Sequence, residues 1–384
     1  MRFAIAVCLA ASVFLNGCGA SRPPSVLCGI EYFAASAPKR HDGAKGTMQD
    51  LLTRAVASRS GPLEIEILAL SAGGQFGAFG AGFLRGWSEN RATPRPDFDL
   101  VTGVSAGAMI APVVFAGPAF DSSLDGYRGL GERDVFLRRS LLALPSAPSF
   151  ASTAPLERFI KDRLSDDMIG EIGRRHTAGQ SLLILATDLD TTEAIIFDLG
   201  EMAASNREVE EKRDCMAEAM LGSSAIPGLF APRHIDGSLF ADGGLRDQIF
   251  LRALEDVRRD VAQATNRDIS VSATLIVNGS LRPLEEPVNE GLLAYALRGT
   301  VVLADEVLRD SIEDVVQFAE RQPNWRIRGI IADTDLEGCD IAFQNGTFDT
   351  CVTERLFDDG RAKGAMSPLP WLGPDALLAA AAAL

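Results

Sequence analysis

The chain has 384 residues, 47% hydrophobic and 23% charged, which is a globular composition with ample material for one large core or two smaller ones. Its 52 Asp and Glu against 37 Lys and Arg leave a formal net charge of −15, which argues against nucleic acid as a partner because the surface repels phosphate backbones. After residue 20 no run reaches the roughly 18 consecutive apolar residues that a spanning helix needs.

Taken from the start, Arg2, the apolar stretch Phe3–Phe14 and then Leu15-Asn16-Gly17-Cys18 resemble a bacterial lipoprotein signal. The resemblance implies cleavage before Cys18, acylation of that cysteine, and an exported lipoprotein held on a bacterial membrane. Several acyl chains on one terminus anchor stably, whereas a single chain is marginal. Gly19 supplies no acidic retention signal, which points to the outer membrane in a host that has one. Asn16 is an unusual residue inside such a motif, so an ordinary cleaved signal with Cys18 incidental stands as the alternative. On this reading residues 1–17 are the signal peptide. Residues 18–60, rich in Ser, Gly, Pro, Lys and Arg, read as a lipidated tether.

From Pro62 the pattern becomes regular. Leu63–Leu70 reads as a strand, interrupted by Glu64 and Glu66, and runs into the glycine-rich turn Ser71-Ala72-Gly73-Gly74-Gln75-Phe76-Gly77. Helical spacing over Ala78–Asn90 is followed by a strand at Phe98–Gly103 and a helix at Ala106–Ala116. Phe136–Phe150 reads as a core helix, with a lid as the alternative, and Pro155–Leu164 as a further helix. Strands are predicted at Ser181–Thr187, Ala194–Asp198, Leu239–Ala241, Ile269–Val277 and Arg326–Ala332. Helices are predicted at Arg207–Met220, Asp247–Gln263 and Glu290–Glu320. Alternating strands and helices predict an α/β fold, a mainly parallel central sheet covered by helices on both faces. One catalytic domain is expected over residues 61–365, with residues 366–384 as a tail whose Ala-rich end, Ala376–Ala383, is a fraying helix or disordered.

Three short motifs carry chemistry. Gly103-Val104-Ser105-Ala106-Gly107, between a strand and a helix, is a nucleophile elbow. Such a turn holds its serine in strained backbone angles, and glycines two positions either side make room for the neighbouring strand and helix. The glycine-rich turn around Gly73 and Gly74 can aim backbone N–H groups at an oxyanion or cradle a phosphate. It lacks the Lys-Ser/Thr ending of a P-loop and the Gly-x-Gly-x-x-Gly spacing, so no nucleotide is expected. Asp242, in Phe240-Ala241-Asp242-Gly243-Gly244, is the candidate base for Ser105; an ordinary Asp-Gly turn is the bland alternative. Of the three histidines, His41 falls in the tether and His176 in a polar stretch. A Ser-His-Asp triad through His234 stays open, because chain order does not decide it.

In the order glycine-rich turn, Gly-x-Ser-x-Gly, Asp-Gly-Gly, these motifs resemble the patatin-like phospholipases. The likeness covers about residues 63–250 and extends to Thr153-Ala154-Pro155-Leu156-Glu157, Ala186-Thr187-Asp188-Leu189 and Ser223-Ser224-Ala225-Ile226-Pro227-Gly228-Leu229-Phe230 with Ile235-Asp236-Gly237. It implies a lipid acyl hydrolase, phospholipase A-like or a broader carboxylesterase, working through a Ser105–Asp242 dyad without histidine, cofactor or metal. Backbone N–H groups of Gly73, Gly74 and Gln75 would hold the oxyanion; Gly103, Gly107, Gly243 and Gly244 would frame the dyad. Two residues depart from the pattern: Ala72 replaces the first glycine of the turn, and Phe76 an Arg or Lys. Arg85, Arg95 and Arg246 are candidates to replace that cation. The departures also leave room for a catalytically silent lipoprotein that binds lipid or a protein partner through the same fold. No Asp/Asn loop has calcium-ligand spacing, and no Cys/His cluster has metal-ligand spacing. In an exported chain Cys339 and Cys351 are expected to form a disulfide, while Cys28 and Cys215 have no evident partner.

Overall fold

The structure, a computed structural model, describes residues 22, 24–29, 32–34, 42–140, 142, 147–251, 253–279, 288, 290–339 and 348–383. The expected signal peptide, Cys18 and His41 lie outside the described residues. The strands in chain order are β1 (Tyr32–Ala34), β2 (Leu63–Leu70), β3 (Leu100–Val104), β4 (Leu137–Arg138), β5 (Ala151–Ser152), β6 (Ser181–Asp188), β7 (Ala194–Asp198), β8 (Arg233–Ile235), β9 (Ser238–Asp242), β10 (Ile269–Val277) and β11 (Trp325–Ile331). The main sheet has the order β1-β7-β6-β3-β2-β10-β11, with β9 also paired to β6 and β8 to β9. From β6 to β11 the neighbours on this path are parallel. The pairings of β1, β7, β8 and β9 are antiparallel.

Side chains alternate across a strand, and the two cores follow that period. Leu68, Leu70 and Val101 face one core; Ile65, Ile67, Ala69, Leu100 and Val104 face the other. Glu64 and Glu66 sit where β2 enters the sheet half-buried, and only from Ile67 onward are both faces covered. Helices Gly77–Glu89, Ala106–Ala116, Ala154–Arg163, Asp166–Thr177, Val209–Ser223 and Thr350–Gly364 cover the first face. Helices Asp42–Ser58, Ala253–Thr265, Leu292–Glu320 and Pro374–Ala381 cover the second. The α/β architecture expected from sequence is therefore present. Two helices on the first face touch almost backbone to backbone: a Cβ at Gly82 would collide with the Phe357 carbonyl, and one at Gly360 with the Phe79 carbonyl.

The domain boundaries differ from the expectation at both ends. Much of the expected tether is built into the fold. β1 extends the sheet beside β7, and Leu51 and Leu52 of helix Asp42–Ser58 are fully buried against helix Ala253–Thr265. A disulfide joins Cys28 to Cys215, 187 residues apart, a pairing that sequence gave no means to choose. The Ala-rich end does form a helix, one of the two expectations, but it is packed rather than fraying. Leu372 bridges to Gly329 at the edge of β11, and Leu377 and Ala381 of helix Pro374–Ala381 are fully buried beside the Leu292–Glu320 helix. Small residues do not by themselves signal disorder when an apolar stripe is available to bury.

Two internal expectations also change. The helix predicted from Asp247 starts only at Ala253, because Gly243–Leu245 is a 3-10 turn and Ile249–Leu251 are buried without helical structure. The stretch Phe136–Phe150 does not form a core helix: β4 pairs with β5 as a short antiparallel ribbon, and residues 141 and 143–146 lie outside the described set.

Truncating a fully buried leucine removes transfer energy and leaves a cavity, so Leu377→Ala should lower stability by about 2–5 kcal/mol. Denaturant titration reads this directly. An unchanged midpoint would mean that the C-terminal helix is not part of the core.

Candidate active site

Ser105 follows directly on β3, whose five residues are all buried, and precedes helix Ala106–Ala116. Its backbone sits at φ 50° and ψ −115°, a conformation that an L-residue adopts only under constraint. The constraint comes from both sides. A Cβ at Gly103 would lie 2.6 Å from the Gly107 carbonyl oxygen, and one at Gly107 would collide with the Leu70 carbonyl at the end of β2. Only glycines allow the outgoing helix to fold back so tightly over the sheet. The Ser105 N–H donates to Ser223 Oγ at 3.0 Å, and the Ser223 hydroxyl donates in turn to the Leu185 carbonyl at 2.6 Å. Ser223, last residue of helix Val209–Ser223, thus ties the elbow to β6.

The same stretch of β6 brings in the aspartate. One edge of β6 is shared by two strands in succession: β3 pairs with it up to Val104 opposite Leu185, and antiparallel β9 takes over with Asp242 opposite Ala186. Ser105 and Asp242 therefore meet at the junction. The Ser105 hydroxyl donates to Asp242 Oδ2 at 2.7 Å, and both side chains are buried. Asp242 Oδ1 accepts the Gly244 N–H at 2.8 Å, the Asp242 N–H donates to the Ala225 carbonyl at 3.0 Å, and the Thr187 hydroxyl donates to the Asp242 carbonyl at 2.8 Å. Gly243 occupies the seam itself, where a Cβ would strike the Leu185 carbonyl. Burial pushes the Asp242 carboxyl up to about 6 from an ordinary 3.8, although the Ser105 hydroxyl and the Gly244 amide both favour its ionised form.

The glycine-rich turn completes the cluster. It leaves β2 and tightens into a 3-10 turn, Gly74–Phe76, with Gly74 at φ 54°. A Cβ on Gly77 would lie 2.8 Å from Ala106 Cβ, and one on Gly244 would lie 3.4 Å from Ala72 Cβ, so the turn abuts both other motifs. Its position is set from β10. Asn278, fully buried at the end of that strand, donates its N–H to Ser71 Oγ at 2.8 Å and its amide Nδ2 to the Ser71 carbonyl at 2.9 Å. Gly73 packs so closely on the Asn278 backbone that no side chain would fit. Gln75 Oε1 accepts the Asp349 N–H at 3.0 Å, linking the turn to the start of helix Thr350–Gly364. Ala72 is not among the residues with positive φ, so its methyl group is accommodated without strain. Phe76 is half-buried against the first core.

Several expected partners are elsewhere. His234 lies on β8 opposite Leu239, and the group bonded to the Ser105 hydroxyl is Asp242, so the triad alternative is not formed. His176 lies at the end of helix Asp166–Thr177, with Nδ1 3.8 Å from Asp198. Arg85 pairs with Glu89 and Asp125, and Arg95 is buried in a pair with Asp121 at 3.0 Å, so neither replaces the cation absent at position 76. Arg246 is exposed just beyond the Asp-Gly-Gly turn. Cys339 and Cys351 form a disulfide with Cα atoms 5.6 Å apart. Asp349 lies beside them, but the bonded sulfurs leave no thiolate to join it in holding a metal. Sequence reasoning missed Ser223, Asn278 and Thr187, each of which acts through a hydrogen bond to a residue distant in the chain. For Ser223 and Thr187 the signal was at hand, because both lie in segments singled out by resemblance.

Residues 68–254 match the family model for the patatin-like phospholipases, and all three motifs fall inside the match. An uncharacterised NTE family protein of Mycobacterium tuberculosis is 27% identical over 242 residues, which is 62% of this chain and 59% of that protein. Calcium-independent phospholipase A2-gamma of Mus musculus is 29% identical over 192 residues, 47% of this chain and 24% of that protein; the Homo sapiens protein matches at the same identity. The chain thus spans little more than half the length of the mycobacterial relative. With its parallel sheet, elbow serine and Asp-Gly-Gly turn, the chain belongs to the patatin-like phospholipase family.

The raised Asp242 pKa has a stability consequence with a definite sign. The unfolded chain releases this proton near 3.8 and the folded one near 6, so the folded state is favoured below 3.8 and loses that advantage as pH rises through 6. Asp242→Asn removes the titration and should make the protein more stable at pH 8, by on the order of 3 kcal/mol. The gain should vanish near pH 3.5. Equal denaturation midpoints for both proteins at pH 8 would show that Asp242 is not held in a desolvated site.

Proposed function

We propose that the protein is a lipid acyl hydrolase, phospholipase A-like or a carboxylesterase, in which Ser105 is the nucleophile and Asp242 its base. The observation that carries this reading is the 2.7 Å hydrogen bond from the Ser105 hydroxyl to a buried Asp242. A carboxylate near pKa 4 is a poor base for a hydroxyl, and one raised to about 6 by desolvation is closer to what proton abstraction at neutral pH requires. In the first half-reaction Ser105 Oγ attacks the ester carbonyl while its proton passes to Asp242 Oδ2. Backbone N–H groups of Gly73, Gly74 and Gln75 stabilise the oxyanion. Collapse breaks the ester C–O bond, the alcohol leaves with the proton from Asp242, and acyl-Ser105 remains. Water then attacks the acyl carbonyl, gives its proton to Asp242, and the fatty acid departs as Ser105 Oγ takes that proton back. Patatin-like phospholipase membership and the likeness to proteins named calcium-independent phospholipase A2-gamma support a lipid ester as substrate. The silent-lipoprotein alternative is disfavoured by the assembled geometry: a binding module has no need of a strained serine bonded to a desolvated carboxylate.

Ser105→Ala and Asp242→Asn should each lower kcat on a soluble p-nitrophenyl ester by about 10³-fold or more, and the double variant should be no worse than either single one. Wild-type kcat/KM should rise through about pH 6 as Asp242 ionises. Fluorophosphonate labelling of the wild type and not of Ser105→Ala is the direct check. Retained turnover in Asp242→Asn together with loss in His234→Ala would reject the dyad.

The anchor is part of the same proposal: Cys18 is acylated and holds the enzyme on a bacterial membrane, the outer one where the host has two. No described helix is long and apolar enough to cross a membrane, so attachment would fall to the acyl chains. Cys18→Ser should release the protein from the membrane fraction and leave turnover of soluble esters within about twofold, because the site lies wholly within the folded domain. Wild-type protein recovered soluble and unacylated after export would sink the anchor.

A further inference from the structure

The serine and the chain's N-terminal segment emerge at the same end of the sheet. β6 continues past Leu185, which is level with Ser105, to Asp188, about 10 Å further along at the rise of a strand. β9 runs back along it from Asp242 to Ser238, and the β8–β9 turn at Asp236 and Gly237 stands beyond that. The N-terminal segment is laid on this turn. The Val26 N–H donates to the His234 carbonyl, the Gly237 N–H to Ser25 Oγ, and the Cys28 and Gly29 N–H groups to Asp236 Oδ1. The Cys28–Cys215 disulfide locks it there, and Arg22 forks onto Asp190 at 2.8 and 2.5 Å. Leu27, 78% exposed, and Leu189, 42% exposed, are apolar side chains at the surface of this end.

Across the site, helix Leu292–Glu320 reaches out in the same direction. Ser311 bonds the Gln248 N–H and Asp247 just after the Asp-Gly-Gly turn, and Leu308 lies against Gly279 just past β10. The helix ends beside Trp325, at the opposite end of the sheet. Gln248 Nε2 still donates to the Ala304 carbonyl, so it is the first 12 residues, Leu292–Leu303, that project beyond the strand ends, by about 18 Å at 1.5 Å per residue. On this part Tyr295, Val302 and Leu303, spaced i, i+7 and i+8, form one exposed apolar stripe, and Leu292–Glu306 carries only three charged residues, Arg298, Asp305 and Glu306.

We propose that these two projections, the β8–β9 turn with its N-terminal strap and the first turns of helix Leu292–Glu320, are the surface that lies on the lipid bilayer, with the Ser105 site between them. The occupant is fixed by where the chain leads. Cys18 lies four positions before Arg22, a span of at most about 14 Å, so on the proposed lipidation of Cys18 the anchor holds this end of the molecule against the membrane. Apolar side chains supply the contact, because a chain of net charge −15 gains nothing from anionic headgroups. The strap is thereby a rigid orienting arm rather than a loose leash.

The test uses the chain from residue 18 onward carrying Cys18→Ser, so that neither an acyl group nor the apolar signal contributes, with and without Val302→Ser and Leu303→Ser together. Co-sedimentation with phosphatidylcholine vesicles should show binding that the double variant weakens at least about tenfold, at about 0.8 kcal/mol for each buried methylene lost. Both proteins should turn over a soluble ester alike, since neither side chain lies in the Ser105 site. Vesicle binding by a chain without soluble-ester turnover would still support the surface, because binding is read without the reaction. Equal vesicle binding by the two proteins would overturn the proposal. So would self-association that the double variant abolishes, which would assign the stripe to a second copy of the chain.

Discussion

The site depends on one constraint of strand pairing. A strand edge can serve two partners in turn only if one stops where the other starts, and on β6 that changeover falls between Leu185 and Ala186. β3 stops because Ser105 turns out of the sheet; β9 arrives from the opposite direction and ends in Asp242. The residue that leaves and the residue that arrives are therefore set side by side by backbone hydrogen bonds, which are more rigid than any side-chain contact. Gly243 is the condition for the seam to close, since any side chain there would strike the β6 backbone. The Ser105–Asp242 hydrogen bond is in this sense a product of sheet register.

The arrangement is held against opposing energies. Ser105 occupies strained backbone angles, and Asp242 is a carboxylate with two short hydrogen bonds and little solvent. Both would relax if the surroundings allowed it. Fixed groups prevent that: Ser223 takes the Ser105 amide and binds β6, Thr187 takes the Asp242 carbonyl, and Asn278 fixes the turn on the far side. Ser223 and Thr187 contact the backbone of the motifs and Asn278 the hydroxyl and carbonyl of Ser71; none of them bonds the side-chain oxygen atoms of Ser105 or Asp242. They are the counterpart, in hydrogen bonds, of the glycines that supply the space.

The ends of the chain serve the fold more than composition predicts. The N-terminal segment is a strap over the β8–β9 turn, closed by a disulfide to helix Val209–Ser223, and that helix ends at Ser223 beside the elbow. The strap and the elbow are thus tied to one and the same helix. The C-terminal helix fills a gap on the second face that β11 and helix Leu292–Glu320 leave open.

The sequence by itself determined the α/β class, the positions of the main strands to within a few residues, the three motifs and the family. These rest on local patterns: alternating apolar residues, a serine between spaced glycines, an aspartate before two more. The Cys339–Cys351 bridge was legible too, because its cysteines lie 12 positions apart and bracket one short loop of an expected exported chain. The resemblance implied Asp242 as the partner of Ser105, and the hydrogen bond between them shows that contact in place of the His234 alternative that chain order left open. Only the tertiary structure decided that Cys28 pairs with Cys215, that Ser223 and Asn278 hold the motifs, and that both terminal segments are packed. Each of these is a contact between residues far apart in the chain, fixed by strand order and register. A sequence records which side chains are available. Which edge of β6 receives which strand depends on how the whole sheet closes.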